Sequence, residues 1–536
     1  MTVQPGQGLE STPAATAKAP AGLEGVQAFA AMSGICLVTM LVAFDQTVVG
    51  TALPRIVAEL KGFALYSWVA TAYLLTSSIF VPIMGRLGDL FGRKRFVLAS
   101  VVVFTGASAL CGLSQTMIEL VLARALQGIG GGMLVGTAFA ASADIFPDQL
   151  RRIKWQAMLS SAFGVANAIG PSLGGWLTEH WGWRSVFYVN LPLGVAAVIV
   201  IGRFLPRTTG HSQANASIDW IGALFLGGSI GALLLAVEEG TRGSLATLAE
   251  PSFWLPLLGA VGIFILFLRT QRRALQPILP LRLFRIQAVR LLAIIASVSG
   301  WAMFTLIFFA PLLLQAGFGL SPNAAGIVVS PLVLCVSVGS IINGRLYGRL
   351  RRPHRLLGFG VLIFMLGCVA VMSVGAGLPS GWIAGAFAVG GLGLGFQLPN
   401  LTIQMQAAVE QRDLGVASAL VQTLRMLGSM VGAAIAGAIV TATYARGIAI
   451  RLDTLGPAAA GLKAYFRDPQ ILVSAADQVT ARASAAALAV PQQFDILIAA
   501  AREALISGVH WALSISVFLC GVAFVLARRL PPILSR

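Results

Sequence analysis

Long apolar runs broken by short charged stretches set the pattern of this chain. A helix that crosses a hydrocarbon core of about 30 Å needs about 20 apolar residues, and by that rule about fourteen segments qualify. They lie near residues 30–54, 65–85, 95–113, 118–141, 155–178, 184–204, 218–237, 253–270, 290–312, 324–345, 355–375, 381–405, 416–443 and 508–528. The runs show little of the apolar and polar alternation that barrel strands carry, so helices are predicted throughout. The predicted fold class is an all-α polytopic membrane protein.

Composition sharpens this picture. Of 536 residues, 57% are hydrophobic and 11% charged, whereas an ordinary soluble domain is roughly a quarter charged. The 37 Lys and Arg against 20 Asp and Glu leave a formal charge of +17. In a soluble chain that excess suggests nucleic acid. Here the basic residues occupy alternate breaks between apolar runs, so no nucleic-acid partner is predicted and the charge reads as membrane orientation. The clusters are Arg86, Arg93, Lys94 and Arg95; Arg151, Arg152 and Lys154; Arg203 and Arg207; Arg269, Arg272, Arg273, Arg282, Arg285 and Arg290; Arg345, Arg349, Arg351, Arg352 and Arg355; and Arg528 with Arg529. These loops and both termini are expected on the cytoplasmic side, which requires an even number of spans. Residues 445–507 then form an outer loop in which Pro457, Pro469 and Pro491 predict one or two short helices. Residues 1–27, rich in Ala, Pro, Gly and Thr, read as a disordered cytoplasmic tail rather than a cleaved leader, and 531–536 as a second tail. The scattered Cys36, Cys111, Cys335, Cys368 and Cys520 support neither a disulfide framework nor a metal site, and are expected to be packing residues.

The chain also repeats itself. Gly85-Arg86-Leu87-Gly88-Asp89-Leu90-Phe91-Gly92-Arg93-Lys94-Arg95 follows the second run, and Gly344-Arg345-Leu346-Tyr347-Gly348-Arg349-Leu350-Arg351-Arg352 follows the tenth. At a similar distance after each comes a glycine-dense stretch, from Gly128 and from Gly391, leading to a charged loop, Asp144 to Arg152 or Glu410 to Asp413. The shared order predicts two related lobes. An N-terminal six-helix lobe covers 28–205 and a C-terminal one 285–530, including the 445–507 loop, with two additional helices in a linker over 206–284. Chance recurrence of Gly/Arg turns in a Gly-rich chain is the alternative.

Gly85 to Arg95 predicts a tight cytoplasmic turn with Asp89 set among Arg86, Arg93, Lys94 and Arg95. Positive-inside topology accounts for most of the basic residues, but an acid adds nothing to topology. Gly85, Asp89, Gly92 and Arg93 are therefore candidates for a latch between the lobes. The segment resembles the loop signature of the major facilitator superfamily, of the form G-x-L-x-D-x-x-G-R-K/R. Phe44-Asp45-Gln46-Thr47-Val48-Val49-Gly50-Thr51-Ala52-Leu53-Pro54 and Trp68-Val69-Ala70-Thr71-Ala72-Tyr73 are similar to the first two helices of its fourteen-helix drug:proton antiporter branch. Arg124-Ala125-Leu126-Gln127-Gly128 resembles the helix-four motif, and Gly170-Pro171-Ser172-Leu173-Gly174-Gly175 the antiporter motif of helix five. Trp183-Arg184 through Asn190-Leu191-Pro192-Leu193-Gly194, and Asp219-Trp220, also fit that branch. The chain departs from it at Gly50, where many members have Asn, and at Ala166, where the helix-five motif often has Gly. Relatives that export dications carry acids in helix thirteen, whereas 416–443 holds only Arg425.

Ionisable groups inside a span are costly and usually functional. Asp45 lies about 15 residues into a helix entering from the cytoplasm, roughly 22 Å up. Arg124 lies about 6 residues into one entering from outside, roughly 21 Å above the inner face. The two can share one level. Burial favours a neutral carboxyl and a nearby guanidinium a charged one, so Asp45 and Arg124 are the proton-coupling candidates, with a fixed buried ion pair as the alternative. The resemblance gives the helix-four Arg a part in proton coupling, and implies that Asp144 pairs with the basic loop carrying Arg93. Gly164, Gly170, Gly174 and Gly175, with Pro171 breaking the backbone ladder, put small faces along helix five for close packing, a pivot or a seal. Candidate substrate-cavity groups are Gln46, Gln127, Asn167, Trp301, Gln315, Gln397, Asn400 and Arg425, for each of which bonding between helices is the alternative. A mostly apolar cavity with a few polar groups suits amphipathic compounds.

Other chemistries lack their motifs. No GxxxxGK[ST] cradles a phosphate, no HExxH offers a metal site and no GxSxG offers a nucleophile, so no enzyme is predicted. The expected protein is a proton-coupled exporter of an amphipathic small molecule in a bacterial inner membrane. It needs no cofactor beyond the proton gradient and the lipid bilayer, and a periplasmic adaptor with an outer-membrane channel is a conceivable partner set. A proton-coupled uptake symporter or a non-transporting sensor of the same fold is the alternative.

Overall fold

The computed structural model describes residues 25–91, 93–145, 149–206, 219–242, 251–274, 277–279, 281–347, 349–350, 355–375, 377, 379–410, 413–456, 461–487 and 491–530. The regular structure among them is helical. The N-terminal part contains α1 (Gly25–Leu60), α2 (Tyr66–Phe91), α3 (Arg93–Leu113), α4 (Met117–Ile145), α5 (Gln149–His180), α6 (Arg184–Tyr188) and α7 (Asn190–Phe204). Two helices follow, α8 (Trp220–Arg242) and α9 (Pro251–Arg273). The C-terminal part contains α10 (Gln287–Leu312), α11 (Pro322–Tyr347), α12 (Arg355–Ser373), α13 (Ser380–Ala407), α14 (Leu414–Leu455), α15 (Ala475–Ala487) and α16 (Pro491–Arg528).

Among the described residues, 12 helical segments are long and apolar enough to cross a membrane, with α6 and α7 forming one of them. The sequence predicts two more. Their places are taken by α5, which opens on Arg151, Arg152 and Lys154, and by α8, which is apolar over Trp220–Leu233 before it reaches Glu238, Glu239 and Arg242. Length and apolarity alone therefore give twelve spans where fourteen were expected. Large apolar side chains such as Leu122, Ile199, Leu255, Leu366 and Phe518 are exposed along the outside of the bundle, as a lipid-facing surface requires.

Two local details follow from where the helices end. Helix α2 stays helical to Phe91 and α3 begins at Arg93, so the tight turn expected over Gly85 to Arg95 leaves only Gly92, outside the described residues, between the two helices. The 445–507 segment is also more helical than expected. Its ends are good helix-forming sequence, so α14 continues to Leu455 and stops at Gly456, which takes a φ of 75°. At the other end α16 opens on Pro491, whose fixed φ suits a first helical position.

Packing divides the helices into two groups. In the first, α1 packs on α5 and α7 while α4 packs on α2 and α3; in the second, α13 packs on α11 and α12 while α14 packs on α10 and α16. Helices α8 and α9 pack on each other, and α8 also touches α2 and α14. The glycine-dense stretches explain the matching geometry. A Cβ on Gly132 would lie 2.9 Å from the Ser77 Cα of α2, and one on Gly130 2.7 Å from the Phe104 Cα of α3. In the second group a Cβ on Gly395 would lie 2.7 Å from the Gly339 Cα of α11, and one on Gly393 2.6 Å from the Phe364 Cα of α12. Helices α2, α3 and α4 thus correspond to α11, α12 and α13, the relation that the repeated motifs predict. Because the obstacle is backbone, Gly393→Ala is expected to destabilise the protein by about 1–3 kcal/mol, read as a lower melting temperature in detergent; an unchanged melting temperature would refute the close packing.

Candidate functional site

Helix α1 is buried from Leu41 to Pro54 except at Gln46, which is exposed. Its neighbour Asp45 is fully buried and turns into the first group of helices. There Arg124 of α4 donates through Nη1 to Asp45 Oδ2 at 2.6 Å and to Gln127 Oε1 at 2.7 Å. Its Nε reaches the Val69 carbonyl at 3.3 Å, and its guanidinium lies 4.5 Å over the Tyr73 ring of α2. The second carboxylate oxygen accepts from Gln127 Nε2 at 2.8 Å and from Asn190 Nδ2 of α7 at 3.4 Å. Asn190 also donates to Ser108 Oγ of α3 at 3.0 Å, and the Ser108 hydroxyl donates to the Phe187 carbonyl at 2.9 Å. Cys111 donates its thiol to Gln127 Oε1 at 3.5 Å.

The α1 carboxylate is thus bonded from α4 and α7, whose own side chains are held in turn by α2 and α3. A buried ion pair is not by itself stabilising, because desolvation offsets the attraction, whereas removing one partner strands a charge. What distinguishes this one is that each charge keeps other partners: Gln127 and Asn190 for the acid, Gln127, Val69 and the Tyr73 ring for the guanidinium. Gln127 bonds both, and so belongs with the pair rather than with a cavity wall. Asn190 and Ser108 were not recognised as part of the site from sequence. The signal for Asn190 was a lone amide opening an apolar run.

The helix-five motif divides between two partners. A Cβ on Gly170 or Gly174 would strike Thr47 or Thr51 of α1, so these glycines seat α1. A Cβ on Gly175 would strike the Pro322 carbonyl, and one on Gly326 the Pro171 carbonyl, so this side of α5 lies backbone to backbone against α11. Below them Ser172 and Ser330 share a hydrogen bond, and a Cβ on Gly164 would sit 3.0 Å from Ser337 Oγ. The seam thus joins the two groups from the end away from the chain termini down to mid-helix.

Further contacts close the same end. Pro311 cannot supply its backbone N–H, and just beyond it the chain forms a π turn at Leu313–Gly317. From this turn Gln315 donates to the Thr51 carbonyl of α1 at 2.7 Å. Tyr66 donates to the Phe308 carbonyl at 3.2 Å and meets the Phe308 ring edge-on at 5.1 Å. Glu179, at the rim of α5, accepts the Asn323 N–H at the start of α11 at 3.0 Å. Hydrogen bonds from Ser321 and Asn323 hold its carboxyl below the usual glutamate range.

The other candidates are dispersed. Gln315 serves the closed end, and Asn400 is an internal tie, donating to Asn343 Oδ1 at 2.6 Å. Gln397 is buried where α13 meets α12 at Gly360. Asn167, Trp301 and Arg425 are half-buried. Arg93 is half-buried too, but Gly92 and the side chains of Asp89 and Asp144 lie outside the described residues, as do the surroundings of Gly85. The latch expected from these residues is thus not described. All five cysteines are free.

A family model for the Major Facilitator Superfamily matches residues 35–433. The chain belongs to the major facilitator superfamily. Multidrug transporter protein MdtP of Bacillus subtilis is 33% identical over 411 residues, covering 77% of this chain and 75% of the relative. Multidrug resistance protein 3 of the same organism is 31% identical over 447 residues, covering 82% and 85%. Among solved structures, a bacterial homologue of the human lysosomal transporter Spinster, in an inward-facing and unoccupied conformation, matches with a TM-score of 0.67 at 18% identity, covering 95% of this chain and 98% of that one. A peptide transporter crystallised with sulfate matches with a TM-score of 0.59 at 14% identity. At such identities these structures speak for the major facilitator fold alone. Membership makes the chain a multi-pass membrane transporter of small molecules.

Proposed function

We propose that this major facilitator is a proton-coupled exporter of amphipathic drugs or related metabolites, working by alternating access in a bacterial cytoplasmic membrane with both termini inside. The observation that carries the reading is the sealed Asp45–Arg124 pair beside a seam that closes one end of the bundle. The similarity to MdtP and multidrug resistance protein 3 supports drugs as the cargo class, and the seat that Gly170 and Gly174 give α1 ties the pair's helix to α5.

In this scheme Asp45 carries the proton. When it is neutralised, Arg124 keeps Gln127, the Val69 carbonyl and the Tyr73 ring; when it is charged, Gln127 and Asn190 help hold it. Either state is satisfied, as a reversible proton site requires. Inward proton flow supplies about 2.3 kcal/mol per 100 mV per charge and about 1.4 kcal/mol per pH unit.

The test is substrate-induced proton release from acid-loaded proteoliposomes, with a panel of lipophilic cations, neutral drugs and anionic metabolites. Antiport predicts that at least one class collapses the pH gradient. A gradient that deepens with substrate would make the protein a symporter, and no response to any class would overturn the transport reading.

A further inference from the structure

The charge inside the C-terminal lobe has no counterpart. Its expected spans, 290–312, 324–345, 355–375, 381–405, 416–443 and 508–528, contain no Asp or Glu, while Arg425 stands inside the fifth of them. In the structure Arg425 leaves α14 at the level of Gly300, whose missing side chain lets the Arg425 backbone press against α10. Gly300 is in the middle of α10 (Gln287–Leu312), so the cation sits near half depth. It is half-buried, and no described residue gives it a hydrogen bond or an ion pair. The acid nearest to it along α14, Asp413, is already held by Arg282 at 2.5 Å. Across the bundle Asp45 is neutralised by Arg124. Among the described residues Arg425 is therefore a positive charge inside the bundle without a partner, and a membrane protein retains such a charge at considerable cost.

The surroundings point the same way. Trp301, next to Gly300, buries an indole N–H that finds no acceptor. Trp301, Phe304 and Phe308 follow one face of α10, with Phe304 stacked on Phe308 at 5.2 Å and Phe308 against Tyr66 at the closed end. Arg425, whose backbone lies against Gly300, and the spare Trp301 donor thus stand at the start of this aromatic face. We infer that Arg425 is the counter-charge for cargo, and that the preferred substrates are amphipathic aromatic anions, a carboxylate or sulfonate at Arg425 with the ring system along Trp301, Phe304 and Phe308. A cationic drug would meet a site of its own sign.

This rests on the export reading, and the experiment separates the two. Proton release and equilibrium binding are measured with three two-ring probes, naphthalene sulfonate, naphthol and N-methylquinolinium, on the wild type, Arg425→Gln and Arg425→Lys. The sulfonate is expected to be the preferred probe. Arg425→Gln should lower the sulfonate-to-naphthol ratio, in both binding and proton release, by roughly ten- to hundredfold, the range for a lost charge-assisted pair, and Arg425→Lys should restore part of it. Exporting a monovalent anion for one entering proton moves two charges per cycle, so sulfonate transport should respond about twice as steeply to an imposed potential as naphthol transport. A preference for the cation, or equal losses for all probes in Arg425→Gln, overturns the inference while leaving export intact. Saturable sulfonate binding that needs Arg425, without proton release from any probe, would uphold the anion site and overturn export.

Discussion

Asp45→Asn is expected to lose proton-driven export by roughly a hundredfold or more while still reaching the membrane. The variant removes the proposed proton carrier and strands the Arg124 guanidinium in a buried pocket. Breaking one side of a buried pair costs about 3–5 kcal/mol, so a drop in folded yield belongs to the same prediction and could obscure it. The double variant Asp45→Asn with Arg124→Gln separates the effects. With both charges gone, the hydrogen-bonding groups of Gln127, Asn190 and the Val69 carbonyl are still available to the two amides. Melting temperature and yield should therefore recover, while substrate-induced proton release should not. A double variant that still exchanges protons for substrate at the wild-type rate would remove Asp45 from the mechanism.

The second large effect concerns the seam. Ser172 and Ser330 meet across the two lobes at the α5–α11 contact, where alternating access demands that they part. With both changed to Cys, oxidation is expected to join the lobes and stop transport almost completely, and a reductant to bring it back. Each single variant under the same oxidant controls for the native cysteines. Crosslinked protein that transports at full rate would mean that this end never opens.

The sequence carried most of the fold because a membrane leaves few options: apolar runs of sufficient length must be helices, and basic residues mark alternate breaks. It was less informative where helices outlast their apolar part. Residues 444–455 and 491–507 look like loop to a hydropathy rule, yet they extend α14 and α16 beyond the expected spans. For the site, depth along each helix put Asp45 and Arg124 at one level, and the structure has them in contact. Rotation about the helix axis was not legible. Gln46 and Asp45 are neighbours in sequence that face different surroundings, and Gln127, Asn400 and Gln315 look alike as buried amides yet serve an ion pair, an internal tie and an inter-lobe clasp. Which face an amide takes depends on partners from distant helices, a property of packing that hydropathy and spacing do not encode.

The glycines of the α5–α11 seam have a consequence for regulation. Where Gly175 and Gly326 press against carbonyl groups the fit is one of shape, joined by the neutral Ser172–Ser330 bond and by Glu179 at the rim, so a single added methyl group should shift the balance between the two ends of the cycle. Glu179, a carboxylate in this clasp, is held below the usual glutamate range in the closed form. Its contribution is in full force above the ordinary glutamate value and fades only as pH falls through the lowered one. In the proposed export cycle, acid therefore loosens this contact only once it has passed the ordinary glutamate range.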